Sequence, residues 1–299
     1  MNIVLYSRAQ PSFSAEDLDL LINALDETGM SYRMNKDFAG LIGAKTGRTF
    51  GAEQIYRDSA GIGDDARVMV SYGGDGTFLD AVRLLDNRPV PIVGINSGRL
   101  GFLANITKEN MKQAFADIKA GDYTVAPRSL IHAEGEFTQQ PGFPYAFNEF
   151  TIQRHGPNMI STEVYVNDEM IATYWGDGVL VSTPSGSTAY SLSVGGPVVA
   201  PDCRCFLISP IAPHNLTMRS VVIPDSSVIT LRVSSRETDF AVSLDNQNYT
   251  APNGVTFRVS KAEKSIFLVH FQNISFYDTL RNKMMWGIDS RERQKKNER

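Results

Sequence analysis

Hydrophobic and polar positions divide this chain into two styles. Over about the first 125 residues, short apolar runs alternate with stretches of helical period, the pattern of an α/β domain with an open parallel sheet. Residues 2–7 read as a strand. Ser14 caps a helix that runs to 28, with Asp17 three positions on and Gly29 ending it. Leu18, Leu21, Ile22 and Leu25 make its apolar face. Residues 67–72 read as strand and 77–86 as helix, with Phe78, Ala81, Val82 and Leu85 on one side. Val90 to Ile95 is another strand, and 107–120 a helix whose Met111, Phe115 and Ile118 face inward.

After Pro127 short alternating strands take over, at 129–137, 146–154, 162–167, 170–174, 178–182, 205–210, 218–224, 228–234, 239–244, 255–260 and 265–270. Turn residues such as Asn167-Asp168 and Asp245-Asn246 separate them. This predicts a stacked, sandwich-like all-β domain over 126–270, following an α/β domain over 1–125. The aromatic-rich segment from 271 leaves the β region to dock on other structure, and the last ten residues, basic and without an apolar anchor, read as disordered.

Composition excludes more than it selects. A chain of 299 residues, 42% hydrophobic and 21% charged, has the make-up of a soluble globular protein with room for two cores. A net charge of −4 argues against a nucleic-acid binder that neutralises phosphates. No apolar run reaches the ~20 residues of a membrane span, and Met1 to Ser7 reads as a strand rather than a signal peptide. Cys203 and Cys205 suit one strand and a reducing, cytoplasmic setting. Gly61 to Ala66 matches G-x-G-x-x-A but precedes a strand, so the dinucleotide reading fails. Gly40 to Thr46 resembles a P-loop with Ala44 in the wrong place and is expected to be a mobile surface loop. The four histidines lack metal-ligand spacing, and no G-x-S-x-G elbow occurs.

Chemistry concentrates in the run Tyr72-Gly73-Gly74-Asp75-Gly76-Thr77-Phe78. Glycines let the backbone turn amide N–H groups towards a phosphate, and the start of the next helix adds partial positive charge. Asp75 brings a proton acceptor or metal ligand to the same spot. A second glycine-rich strand exit, Gly94 to Leu103, holds Asn96, which suits a phosphate or ribose, or else the segment is a chain reversal only. Asn148-Glu149 between two phenylalanines suits a pair of ribose hydroxyls, with an exposed polar pair as the plain alternative. Residues 182–193 are dense in hydroxyl and small side chains and carry Tyr190, a surface suited to a polar planar molecule such as a nucleotide.

Together these segments resemble the NAD kinase family, within a larger set that shares the Gly-Gly-Asp-Gly core with diacylglycerol and sphingosine kinases. The likeness covers about residues 67–250. Gly73 to Thr77 is the shared core; Asn96 to Leu103, Asn148-Glu149, Asp177, Ser182 to Ser193 and Ser243 to Gln247 resemble the family's own segments. Asn246 stands where the family's Asp-Gly-Gln turn has glycine, and Pro210 to Leu216 brings His214 into the picture. The resemblance implies ATP-dependent phosphorylation of the 2′-hydroxyl of the adenosine ribose of NAD, with Mg²⁺ accompanying ATP, inorganic polyphosphate as a possible donor, and a homo-oligomer, often a tetramer. Carried onto this chain, it makes Asp75 the base or a Mg²⁺ holder. Gly73, Gly74, Gly76, Thr77, Phe78 and Asn96 would lie at the phosphates. Asn148 and Glu149 would hold a ribose. Asp177, Ser185, Thr188, Ala189, Tyr190, Ser193, Asp245 and Gln247 would line the dinucleotide site. A lipid kinase on the same core lacks support from any basic amphipathic helix or lipidation motif, and a non-catalytic dinucleotide sensor would not need Asp75.

Overall fold

The structure is a computed structural model that describes residues 2–86, 88–98 and 100–287. The tail expected to be disordered lies outside the described residues. Two compact units emerge, one of residues up to Pro127 together with those from Phe267 on, the other of Arg128–Ile266.

In the first unit the chain runs β1 (Asn2–Tyr6), α1 (Ala15–Thr28), β2 (Ser31–Asn35), α2 (Lys36–Thr46), β3 (Ile55–Tyr56), β4 (Ala66–Gly73), α3 (Asp75–Leu85), β5 (Ile92–Asn96) and α4 (Met111–Ala120). The α1 caps fall as their residues dictate: Ser14 Oγ accepts from the Asp17 amide at 3.1 Å, and Gly29 closes the helix at φ 67°. The strands form a parallel sheet in the order β3-β2-β1-β4-β5. Leu18, Leu21, Leu25, Phe38, Ile42 and Phe115 from α1, α2 and α4 cover one face with Ile3, Val70 and Ile95 of the strands. Buried Phe78, Ala81, Val82 and Leu85 line the inner side of α3, which packs on β4 and β5. The order reverses between β1 and β4, which makes their carboxyl ends the switch point where such sheets take ligands.

The second unit contains most of β6 (Thr124–Glu134), then β7 (Tyr145–Ala146), β8 (Glu149–Gln153), β9 (Ile160–Val166), β10 (Glu169–Gly176), β11 (Gly178–Ser182), the four-residue α5 (Tyr190–Ser193), β12 (Cys205–Ile211), β13 (Val221–Pro224), β14 (Ile229–Ser234), β15 (Asp239–Leu244), β16 (Gln247–Pro252) and the start of β17 (Thr256–His270). An antiparallel sheet β13-β12-β11-β8-β15-β16 stacks on β10-β9-β14-β17. Their facing residues, among them Phe150, Val181, Phe206 and Phe240 against Val164, Leu231 and Phe257, make one core. β17 ends in the first unit, where Leu268 pairs in parallel with Ile92, and α6 (Phe276–Met284) follows.

Several elements differ from the sequence reading. Residues 40–46 are not a loop: they belong to α2, whose Phe38, Ala39 and Ile42 are buried, and burial outweighs the weak helix propensity of Gly40 and Gly43. β2 and β16 escaped notice because their apolar residues are few. The strands expected at 255–260 and 265–270 are one strand, continued through Lys261 to Ser265, a stretch polar except for buried Ala262. Helix α3 begins at Asp75 rather than 77, and α4 at Met111 rather than 107. Cys203 precedes the strand that Cys205 opens, and both are free thiols.

Candidate functional site

In the first unit the site grows from the turn after β4. Gly73 ends the strand at φ 152°, Gly74 is the helix N-cap, and Asp75 is the first residue of α3. The amides of Thr77 and Phe78 return to the Gly74 carbonyl at 3.0 and 3.1 Å, which leaves the amides before them for a ligand, as at any helix start. Thr77 and Phe78 point inward and are buried, so only their backbone borders the open end.

Asp75 does not project freely. Its Oδ2 accepts the Phe102 amide at 3.0 Å, and its Oδ1 accepts those of Leu103 and Ala104 at 3.0 and 2.9 Å. Three consecutive amides of the loop after β5 thus fix the carboxylate. Asn96 shapes that loop from within: its Oδ1 accepts from the Gly98 amide at 2.6 Å, its Nδ2 donates to the Ala104 carbonyl at 3.3 Å, and it is buried. Gly101 has no side chain for a steric reason, since a Cβ there would fall 2.0 Å from Asp75 Oδ1. On the outer side, Lys283 Nζ lies 3.4 Å from Oδ2 and Arg8 approaches Gly76. Sequence reasoning missed Gly101, Arg8 and Lys283. Only Gly101 had a visible signal, its place in the glycine-rich exit.

The second unit gathers another group at the ends of three neighbouring strands. Glu149 opens β8 opposite Ser182 at the end of β11, and Asp245 follows β15 on the other side. Asp245 takes φ 52° and turns its carboxylate inward: Oδ2 accepts the Phe147 amide at 2.7 Å, Oδ1 those of Asn148 and Glu149 at 2.7 and 3.1 Å. Burial outweighs these three donors and pushes the Asp245 carboxyl up to about 6. The Glu149 carboxyl rises further, to about 8, chiefly through burial and then through the nearby Asp245 charge, against one donated bond from the Tyr190 amide. Glu149 and Asn148 are 8% and 6% exposed, and Glu149 Oε2 and Asn148 Oδ1 have no hydrogen-bond partner. Buried polar atoms of that kind invite an incoming donor.

The segment after β11 folds onto this pair. Thr183 Oγ1 donates to the Phe147 carbonyl at 2.6 Å, and Ser182 Oγ to the Asn148 carbonyl at 3.2 Å. Ser185–Thr188 forms a 3₁₀ turn before α5, and Gly186 has no side chain for a steric reason, since a Cβ there would fall 2.2 Å from the Asn148 carbonyl oxygen. Tyr190 presents its hydroxyl to Gln153 Nε2 at 2.6 Å. Ser185 is buried, Thr188 and Ala189 half-buried and Ser193 exposed. Asp177 stands apart, in a cavity of about 340 Å³ that it shares with His214, Arg236 and Arg154, and Arg154 Nε donates to its Oδ1 at 2.6 Å. Gln247 lies on the hairpin beyond Asp245, bonded to Asn246.

Among the described residues no group of three His, Cys, Asp or Glu side chains converges as a metal site. At Asp75, three amides and Lys283 Nζ surround the carboxylate, so one acceptor position on Oδ2 is what the described residues offer a cation there, and the about six oxygens a divalent ion takes would have to come mostly from other groups.

Comparison with known proteins gives the family and the fold. Residues 40–123 match the ATP-NAD kinase N-terminal domain, and 147–271 the ATP-NAD kinase C-terminal domain. A NAD kinase of Bacteroides fragilis is 44% identical over 228 residues, 76% of this chain and 79% of that protein. A NAD kinase of Christiangramia forsetii is 35% identical over 297 residues, 97% of this chain and all of the relative. A yeast NADH kinase solved with NADH superposes at a TM-score of 0.84, with 20% identity, over 97% of this chain and 88% of that one. A NAD kinase from Archaeoglobus fulgidus solved with ATP gives 0.72, with 23% identity, over 95% and 99%. At those identities the two structures speak for the fold. With both domain matches covering most of its length, this chain belongs to the NAD kinase family of phosphotransferases.

Proposed function

We propose that the chain transfers the γ-phosphoryl group of Mg·ATP to the 2′-hydroxyl of the adenosine ribose of NAD, giving NADP. The observation that carries this reading is Asp75: a carboxylate at the open start of a helix, at the switch point of a parallel sheet, held in one orientation by three amides. Oδ1 accepts two of those bonds and Oδ2 one. Since each carboxylate oxygen has about two acceptor positions, Oδ2 is the oxygen that takes the hydroxyl proton. General base assistance of this kind is worth roughly 10²–10⁴ in rate.

The amides around Gly73, Gly74 and Gly76, with the backbone of Thr77 and Phe78, cradle phosphate. Asn96 acts through the loop it braces. The unpartnered Oε2 of Glu149 and Oδ1 of Asn148 receive ribose hydroxyls, and Asp245 orients both residues through their amides. Ser185, Thr188, Ala189, Tyr190 and Ser193 line the dinucleotide, with Asp177 and Gln247 at its margins. Mg²⁺ enters with ATP and neutralises phosphate charge. Family likeness supports a cytoplasmic homotetramer and inorganic polyphosphate as an alternative donor. No helix of the described residues is long and apolar enough to cross a membrane.

The direct test incubates the purified protein with Mg·ATP and NAD and follows NADP with an NADP-specific dehydrogenase, with Asp75→Asn alongside. NADP from the wild type alone supports both the reaction and the base. A folded wild type that binds NAD and makes no NADP removes the proposal.

A further inference from the structure

Lys283 is more than two hundred residues from the phosphate turn in sequence and lies against it in space. Helix α6 is anchored at its start, where Ser275 Oγ accepts the Asp278 amide at 3.0 Å, and the Phe276 ring packs 6.3 Å from that of Phe102. In the last turn, Lys283 Nζ sits 4.6 Å from the Phe102 ring centroid and 3.4 Å from Asp75 Oδ2. Phe102 is the residue whose amide holds that same oxygen. Two independent contacts, a ring face and a carboxylate, therefore aim the ammonium at the mouth of the turn.

The acceptor positions of Asp75 make this contact consequential. Oδ1 takes two amides and Oδ2 takes one, so the position left for a substrate hydroxyl is the one shared with Lys283. The ion pair is one that can be exchanged. At 3.4 Å it is longer than a normal N–H···O bond. Both side chains are about one-third exposed, at 34% and 31%, and pairs so placed contribute little. Arg8, a second cation beside the turn among the described residues, is committed to Asp80, with Nε 2.5 Å from its carboxylate.

We propose that Lys283 is the mobile phosphate-binding cation of this site, capping Asp75 in the free enzyme and passing to the terminal phosphate of the donor when Mg·ATP arrives. The inference rests on the reading of Asp75 as the base. The exchange leaves Asp75 Oδ2 open. The hydroxyl then gives its proton to Oδ2 as its oxygen bonds to the γ-phosphorus. The bond from that phosphorus to the β-phosphate oxygen breaks, and its electron pair leaves on ADP. Lys283 gives up no proton; its flexible stem carries a compact positive charge from one anion to the other.

Lys283→Met keeps the stem over Phe102 and removes the charge; Lys283→Arg keeps the charge. We would measure Mg·ATP affinity and NAD affinity by calorimetry, KM for each substrate, and the thermal midpoint, for both variants and for Asp75→Asn. Lys283→Met should weaken Mg·ATP binding and raise its KM roughly ten- to hundredfold, the scale of one charged contact. NAD affinity and the midpoint should stay unchanged, and Lys283→Arg should recover most of the loss. A Lys283→Met enzyme whose Mg·ATP affinity and KM stay within twofold of wild type overturns the proposal. So does a loss shared equally by NAD, or one that Lys283→Arg fails to relieve. If Lys283→Met does not fold, Lys283→Gln and Lys283→Arg give the same comparison. Asp75→Asn separates the two readings: normal turnover there, with a raised ATP KM in Lys283→Met, sinks the base and leaves the cation standing.

Discussion

The sharpest consequence of the Asp75 geometry falls on a residue with no side chain. In Gly101→Ala the new Cβ would lie 2.0 Å from Asp75 Oδ1 and 2.7 Å from its Cγ. Ordinary contact begins near 3.4 Å, so the carboxylate or the loop must move by more than an ångström. Either movement strains amide bonds that now measure 2.9 to 3.0 Å. Each hydrogen bond to a charged group is worth ~1.5–3 kcal/mol when desolvated. Asp75 is 31% exposed and water replaces part of what is lost, which leaves a local cost of about 2 kcal/mol. The catalytic cost is larger, because misplacing a reacting group by ~1 Å lowers rate by ~10²-fold. The coupled NADP assay should therefore show Gly101→Ala with kcat reduced about a hundredfold, while NAD affinity by calorimetry stays within a few-fold. Gly98→Ala is the control in the same loop, since nothing lies within 4 Å of its added Cβ. A Gly101→Ala enzyme with kcat within threefold of Gly98→Ala would refute the claim that the loop positions Asp75.

Asp75→Asn should keep NAD affinity within a few-fold and lose ~10²–10⁴ of turnover. Glu149→Gln should weaken NAD binding, and the gap should widen as pH passes about 8, where the wild-type carboxyl ionises; calorimetry at pH 7 and pH 9 reads it. The same group sets a stability slope. Its folded value, about 8, stands above the ordinary 4.5 of an exposed glutamate, so stability is full below the lower value and is lost as pH rises through the higher one. Urea midpoints of the wild type should fall relative to Glu149→Gln between pH 5 and 9, by up to ~1.4 kcal/mol per pH unit, and parallel curves would contradict it. Asp177→Ala breaks only a surface pair with Arg154, so it should cost under ~1 kcal/mol of stability and register in NAD affinity instead.

An aspartate in each unit shows where sequence stops being legible. The change of period after Pro127, the caps of α1 and the Gly-Gly-Asp-Gly turn are local, and local chemistry makes them readable; the α/β-then-β order follows from them. What escapes is what the chain assembles over distance. Asp75 collects three consecutive amides from 102–104, and Asp245 collects three from 147–149. Backbone amides carry no residue identity, so neither partnership leaves a mark in composition or spacing. Gly101 leaves a mark only because a side chain would collide with Asp75, and Lys283 leaves none, because its contact depends on where β17 returns the chain. The two clusters then diverge through exposure. Asp75 keeps an oxygen within reach of solvent and can exchange partners. The Asp245 carboxylate is enclosed with its amides, and what reaches the surface through it is the setting of Asn148 and Glu149. On the proposed function, the same triple-amide device would position a reacting group in one unit and a binding pair in the other, and burial would decide which.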